Sequence, residues 1–317
     1  MEVSKKQQKL YIGILAAIFC TMLWGSASPF IKLGYDFFEM DTSNVYNILL
    51  FAGVRFFGSG WLTLGLSWIL TKQRPHFSRS LIKPTILMAL SQTVLQYFLF
   101  YMGLTVVTGA SGALLSSTNA FFAVILAAVV GVERLTVKKL VAVLLGLTGI
   151  VILNLGNNFE FAFRLNGELL VLLSAVVIAS ANLMIKHFGK THEPVALTGW
   201  QFILGGAILS GLGLAGGGSL IWPGFAKSLV LFYLMVLSAL AYGIWSLLLK
   251  RYPVSKVVVF QSLTPVFGAL FSWMILGEDI WRWQMLVALL VIAAGIMLLN
   301  LKKPATASVP QLSQTDE

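Results

Sequence analysis

Apolar residues run along this chain in long blocks separated by short polar stretches. A helix that crosses a bilayer needs roughly 20 mainly apolar residues, and the blocks reach that length. They predict ten membrane-crossing helices, at about 10–31, 46–70, 82–103, 107–130, 138–155, 168–187, 195–215, 228–249, 255–276 and 281–301. The connections are short, which leaves no room for a soluble domain of useful size outside the membrane.

The blocks form two sets of five. Ser262-Leu263-Thr264-Pro265-Val266-Phe267 lies 146 residues after Ser116-Ser117-Thr118-Asn119-Ala120-Phe121, and the same offset carries Gly131 onto Gly277, Gly149 onto Gly295 and Asn154 onto Asn300. Five is odd, so the second copy enters the membrane from the opposite side, as in transporters built from inverted repeats. The expected fold is an all-α polytopic membrane protein, with ten transmembrane helices as two inverted five-helix repeats. Residues 1–155 form the first repeat, 156–165 a linker loop, 166–303 the second repeat and 304–317 a polar cytoplasmic tail. Gly206 with Ser210, and Ala207 with Gly211, place small residues four apart on the seventh helix, where they let a neighbouring helix come close.

Composition agrees with a bilayer. Hydrophobic residues make up 58%, charged residues 11%, and the mean hydropathy is +0.87, whereas soluble domains carry about 25% charged residues. Lys5, Lys6 and Lys9 precede the first block as in a signal peptide, but its length and the nine blocks that follow mark a retained helix. The lone Cys20 has no partner for an internal disulfide, and no Cys/His spacing suggests a metal.

The net charge of +10 is read as a signal of topology. Seventeen basic residues would share the side of the termini, against Lys32, Arg164, Lys227 and Arg282 on the other. The positive-inside rule then places both termini in the cytoplasm, with the chain in the plasma (cell inner) membrane. Nucleic-acid binding is not expected, because the basic loops are brief, dispersed and free of interleaved aromatics. Gly216-Gly217-Gly218 is a loop rather than a phosphate cradle, since no Lys-Ser or Lys-Thr pair follows at the required spacing.

The stretch Ala239–Leu276, ALAYGIWSLLLKRYPVSKVVVFQSLTPVFGALFSWMIL, continuing into Gly277-Glu278, resembles the second repeat of the EamA family. Trp24-Gly25-Ser26, Arg55-Phe56 and Glu133-Arg134-Leu135-Thr136 resemble its first repeat. The resemblance covers nearly the whole chain and implies the drug/metabolite transporter superfamily: ten helices, termini inside, and a central cavity lined by helices 1, 3, 4, 6, 8 and 9. It implies no particular substrate. Two departures stand out. Asn119 occupies a position where first repeats often carry proline, while Pro265 is kept in the second, so asymmetric gating is expected. Ile178-Ala179-Ser180 replaces an aromatic-rich stretch, so a roomier or more polar cavity wall is expected there.

Polar side chains inside spans are expensive unless they face other helices or a watery route. Helix 1 offers Trp24, Ser26 and Ser28; helix 3 offers Gln92, Gln96, Tyr97 and Tyr101; helix 4 offers Ser116, Ser117 and Asn119. Helix 6 offers Ser180 and Asn182; helix 8 offers Tyr242, Trp245 and Ser246; helix 9 offers Gln261 and Thr264. The expected substrate-binding set is Trp24, Ser28, Gln92, Gln96, Tyr97, Tyr101, Asn119, Ser180, Asn182, Tyr242, Trp245 and Gln261. Gln92 with Gln96, and Tyr97 with Tyr101, make two adjacent stripes at four-residue spacing. The plainer alternative is interhelical hydrogen bonding. Trp222, Trp281 and Trp283 are assigned to the interfacial belt.

Arg55 lies nine residues past Tyr46, over ~10 Å into its span at about 1.5 Å per residue. It is either a counter-charge for an anionic substrate group or a structural clamp on backbone carbonyls or an outer-loop carboxylate. The peripheral place that the resemblance gives helix 2, and the neutral Gln201 at the repeat position, favour the clamp. Glu133 and Glu278, at helix ends, are candidates for gating or structural charge. No Asp, Glu or His lies near the middle of any expected span, which argues against a buried proton relay and favours a facilitator or exchanger.

The same absence argues against a membrane-embedded enzyme; no metal and no cofactor are expected. The reading is a secondary transporter exporting a small polar or zwitterionic metabolite, such as an amino acid, by alternating access. The alternatives are an exporter of hydrophobic drugs or toxic compounds, and a non-transporting scaffold. Partners are the small-molecule substrate and the lipid bilayer; oligomeric state stays open, a monomer included.

Overall fold

Within hydrocarbon every backbone N–H and C=O must be satisfied by its own segment or by a neighbour, so apolar blocks of this length close into helices. The computed structural model describes residues 2–104, 106, 107, 115, 116, 118–155, 165–277 and 283–300. Every regular element among them is helical.

Helix α1 (Glu2–Phe37) carries Pro29 in its interior. Helix α2 (Val45–Thr71) starts at Asn44, whose side chain accepts the Tyr46 N–H, and stops at Lys72, which turns left-handed at φ 58° and returns its N–H to Trp68. Helix α3 (Arg79–Met88), a π-helical stretch Ala89–Leu95 and helix α4 (Gln96–Leu104) follow without interruption. Next come α5 (Asn119–Val129), α6 (Val137–Asn154) and α7 (Glu168–Phe188). Helix α8 (Pro194–Ala215) begins on Pro194, where the missing N–H costs nothing, and is capped by the Glu193 side chain. Helix α9 (Phe225–Arg251) leads into α10 (Val254–Val258), a 3-10 stretch Val259–Leu263 and α11 (Thr264–Leu276), and α12 (Trp283–Asn300) closes the described fold.

Among the described residues seven helices are long and apolar enough to cross a membrane, and Asn119–Val129 and Trp283–Leu299 are shorter apolar helices. The count of ten is therefore met only in part. The fourth expected span is described as a continuous helix only from Asn119, the tenth only from Trp283, and α6, with 18 residues, stands where the fifth was expected. Much of the expected linker and the expected tail lie outside the described residues.

The packing has a two-fold plan. Helix α2 runs along α8 and α6 along α12; α1 lies against α9 and α11, while α7 lies against α4 and α5. Exchanging the halves in order maps the first two pairs onto themselves and carries the α1 contacts onto those of α7. One buried cluster joins both halves through Cys20, Met88, Ala123, Val124, Trp245 and Phe260.

The α2–α8 seam is the closest approach. Gly53 and Gly60 on α2 face Gly199, Gly206 and Gly213 on α8, spaced seven apart on each helix. A Cβ at Gly206 would run into the backbone nitrogen of Phe57, and one at Gly213 would come within 2.7 Å of the Leu50 nitrogen. Here no side chain can give way. Gly206 and Ser210 lie in this seam, whereas Ala207 and Gly211 are exposed.

Helices restart at matching places in the two halves. Helix α11 begins with Pro265 in its first turn, and α5 begins at Asn119, the residue 146 positions earlier. Asn119 Nδ2 donates to the Ser116 carbonyl, three residues earlier, at 2.9 Å. The restart thus does not depend on the proline.

Candidate functional site

Tyr242 and Trp245, three apart on α9, share one face of the helix, and Trp24 of α1 meets both edge-on, at 5.2 Å and 4.9 Å between ring centroids. The Trp245 indole donates to Asn182 Oδ1 on α7 at 3.1 Å. On the other side the Tyr242 hydroxyl lies 3.0 Å from that of Tyr97 on α4. Phe56 of α2 packs 4.7 Å from Tyr97 and 5.0 Å from Phe202 of α8, and Phe202 lies 5.1 Å from Tyr242. Trp24, Tyr97, Asn182, Tyr242 and Trp245 therefore converge where both halves meet.

Eight buried polar atoms have no hydrogen-bond partner among the described residues; Thr85 Oγ1, Trp200 Nε1 and Gln284 Oε1 lie outside the sequence-based candidates, which leaves five: Trp24 Nε1, Gln96 Oε1, Asn119 Oδ1, Asn182 Nδ2 and Gln261 Oε1. Each belongs to the set that the sequence singled out, on α1, α4, α5, α7 and the 3-10 stretch before α11. An unsatisfied buried group costs about 1–3 kcal/mol. A membrane protein keeps such groups where a ligand or water reaches them.

Other members of that set sit in internal ties. Gln201 Nε2 donates to Gln92 Oε1 at 3.2 Å and its Oε1 accepts the Thr93 hydroxyl at 2.7 Å. Ser180 returns its hydroxyl to the Val176 carbonyl and Ser246 to that of Gly243. Ser26 lies 2.7 Å from the Tyr233 hydroxyl, Tyr101 packs 5.7 Å from Tyr97, and Ser28 is exposed. Gln92 and Gln96 were expected as one stripe, but Gln92 stands in the π-helical stretch and Gln96 starts α4. The wider i→i+5 winding takes them out of four-residue register. Ser117 and Glu278 lie outside the described residues.

Arg55 donates through Nε and Nη2 to Ser238 Oγ on α9, at 3.0 and 2.8 Å, and its Cζ stands 5.2 Å over the Phe56 ring. The clamp expected on carbonyls or a loop carboxylate is thus made to a hydroxyl instead. Sequence reasoning missed Ser238, although it lies one turn before Tyr242 on the same face. It also missed Phe56 and Phe202, which give no signal inside an apolar block.

At the end where α1 begins, two carboxylates tie the halves. Glu133 accepts from Lys139 Nζ at 2.8 Å and from both the backbone N–H and the hydroxyl of Ser255. Burial pushes its carboxyl upward, but the hydrogen bonds from Lys139 and Ser255 outweigh this and hold it below the usual carboxylate range. Glu193, absent from the sequence-based candidates, accepts the Ser67 hydroxyl of α2 at 2.8 Å. Close by, Lys186 Nζ donates to the carbonyls of Leu249 and Tyr252.

The model of the EamA-like transporter family matches residues 11–155 and, separately, residues 165–301. The chain is similar to a probable amino-acid metabolite efflux pump of Salmonella typhimurium, 28% identical, covering 87% of this chain and 91% of that protein. It is also similar to a transporter of Archaeoglobus fulgidus, 25% identical over 81% of this chain and 86% of that one. A WAT1-related chloroplastic protein of Arabidopsis thaliana is 25% identical over 62% of this chain, which spans half of that relative's length. A solved crystal structure has the same fold, with a TM-score of 0.74 and 18% identity, covering 91% of this chain and 96% of that one.

Proposed function

The chain belongs to the EamA-like transporter family, and from that premise we propose that it exports a small polar or zwitterionic metabolite, an amino acid foremost, from the cytoplasm. The observation that carries this reading is the convergence of Trp24, Tyr97, Tyr242 and Trp245 with Asn182, whose Nδ2 is unpartnered, where the two halves meet. Trp24, Tyr242 and Trp245 offer ring faces and edges to an apolar or aromatic side chain. Gln96, Asn119 and Gln261 each offer an unpartnered amide oxygen, an acceptor for an ammonium group. The Salmonella relative is named a probable amino-acid metabolite efflux pump, which supports the same substrate class.

In this reading one half rocks against the other, and the site faces each side of the plasma membrane in turn, with both termini in the cytoplasm. The ties of Glu133 to Ser255 and of Glu193 to Ser67 then belong to the cytoplasmic end. The test is uptake of a panel of labelled amino acids by vesicles holding the purified protein, with and without an imposed pH gradient. Uptake accelerated by trapped unlabelled substrate, and indifferent to the gradient, is expected for exchange. Uptake of no amino acid would overturn the substrate class.

A further inference from the structure

The tie between α2 and α9 is written twice in this chain, and only one copy carries a charge. Arg55 bonds Ser238, and Gln201 bonds Gln92; the 146-residue offset takes Arg55 to Gln201 and Gln92 to Ser238. A neutral amide makes this tie in one half, so joining the helices does not require a guanidinium. The positive charge at position 55 is surplus to the clamp.

That charge is 4% exposed, and among the described residues no carboxylate pairs with it. A buried cation whose partner is a neutral hydroxyl is a costly arrangement, and one that an arriving anion relieves. The surroundings are donors of the same kind. Phe51, one turn earlier on the same face of α2, packs 5.6 Å from Tyr35. Through Phe56 and Tyr97 the guanidinium adjoins Tyr101. The Tyr97 hydroxyl is engaged with Tyr242; those of Tyr35 and Tyr101 have no partner among the described residues.

Resting on the transporter reading above, we propose that Arg55, Tyr35 and Tyr101 form the carboxylate-binding end of the substrate site. The substrate is then a carboxylate-bearing metabolite whose apolar part lies against Trp24, Tyr242 and Trp245. Ser238 and Tyr242 are four residues apart on α9, ~6 Å along the helix, a spacing that suits one amino acid with its carboxylate at Arg55 and its side chain among the rings. Arginine suits the role because its planar fork meets both oxygens of a carboxylate.

The test uses the full chain in vesicles, with labelled amino acids that the wild type accepts and the C-terminal amides of the same amino acids, which lack the carboxylate. Wild type should favour acid over amide by about tenfold or more, the loss expected when a charge-assisted hydrogen bond is removed. Arg55→Gln should abolish that preference by lowering acid transport, and Arg55→Lys should keep part of it. Tyr101→Phe, which leaves the Ser238 tie intact, should reduce the ratio a few-fold, and it decides the matter if Arg55→Gln fails to fold. Acid and amide transport falling together in Arg55→Gln, or a ratio unmoved by Tyr101→Phe when that variant decides, would overturn the inference and leave the transporter reading standing. Wild type moving neither acids nor amides would overturn both this inference and the amino-acid substrate class on which it rests.

Discussion

Arg55 and Ser238 join α2 to α9 by two hydrogen bonds that converge on one oxygen, at 3.0 and 2.8 Å. Ser238→Ala should cost about 1–3 kcal/mol, because the guanidinium stays buried with its hydroxyl partner gone. Thermal unfolding of the purified protein in detergent measures this. Gln201→Leu, which strands Gln92 and Thr93 in the other half, should produce a loss of the same order. No loss in either variant would show that water enters readily at both ties.

The glycine seam between α2 and α8 makes a sharper contrast within one helix. A Cβ at Gly206 meets the backbone of Phe57, whereas one at Gly211 meets nothing within 4 Å. Gly206→Leu should therefore part the helices and destabilise by ~1–3 kcal/mol or more. Gly211→Ala should be neutral or stabilising by up to about 1 kcal/mol, through helix propensity. Equal effects at the two positions would mean that the seam opens without resistance.

The pattern of apolar blocks made most helices legible in the sequence, because a bilayer leaves the backbone few alternatives. The expected spans 46–70, 168–187 and 195–215 differ from the ends of α2, α7 and α8 by a residue or so. The converging residues were legible for a related reason: Trp24, Tyr97, Asn182, Tyr242 and Trp245 stand out as polar or amphipathic groups among leucines and valines. Phe56 and Phe202 were not, since an apolar ring in an apolar block carries no signal. The π-helical winding at Ala89–Leu95 also left no mark in residue type. It separates Gln92 from Gln96, so that Gln92 alone joins Gln201 among the described residues. Ser238 was hidden because serine hydroxyls in spans usually bond their own helix, as Ser180 and Ser246 do here.

Asn182 satisfies the Trp245 indole with its oxygen while its own Nδ2 has no partner among the described residues. Asn182→Leu should both leave the indole N–H unsatisfied and remove a donor from the proposed site. A neutral hydrogen bond contributes about 0.5–1.5 kcal/mol, so KM for an accepted amino acid should rise up to roughly tenfold, with kcat less affected. Transport kinetics in vesicles separates the two constants. A change in kcat alone would assign Asn182 to the motion rather than to binding.

Glu133 gives a pH dependence with a definite sign. Its carboxyl is held below the ordinary carboxylate range, because the hydrogen bonds from Lys139 and Ser255 outweigh the effect of burial. A group depressed in the folded state contributes stability above its ordinary pKa, of about 4.3 for Glu, and loses that contribution as pH falls through its lowered folded value. Glu133→Gln should therefore be less stable than wild type at neutral pH, and the two thermal midpoints should converge as the medium is acidified below about pH 4. Ser255 belongs to the opposite half of the chain, so protonation also loosens a contact between halves. Ser255→Ala should in consequence reduce the acid sensitivity in the same direction but by less, because the Lys139 bond at 2.8 Å remains. Midpoints that stay parallel across the acid range would show that Glu133 is not the group whose protonation matters.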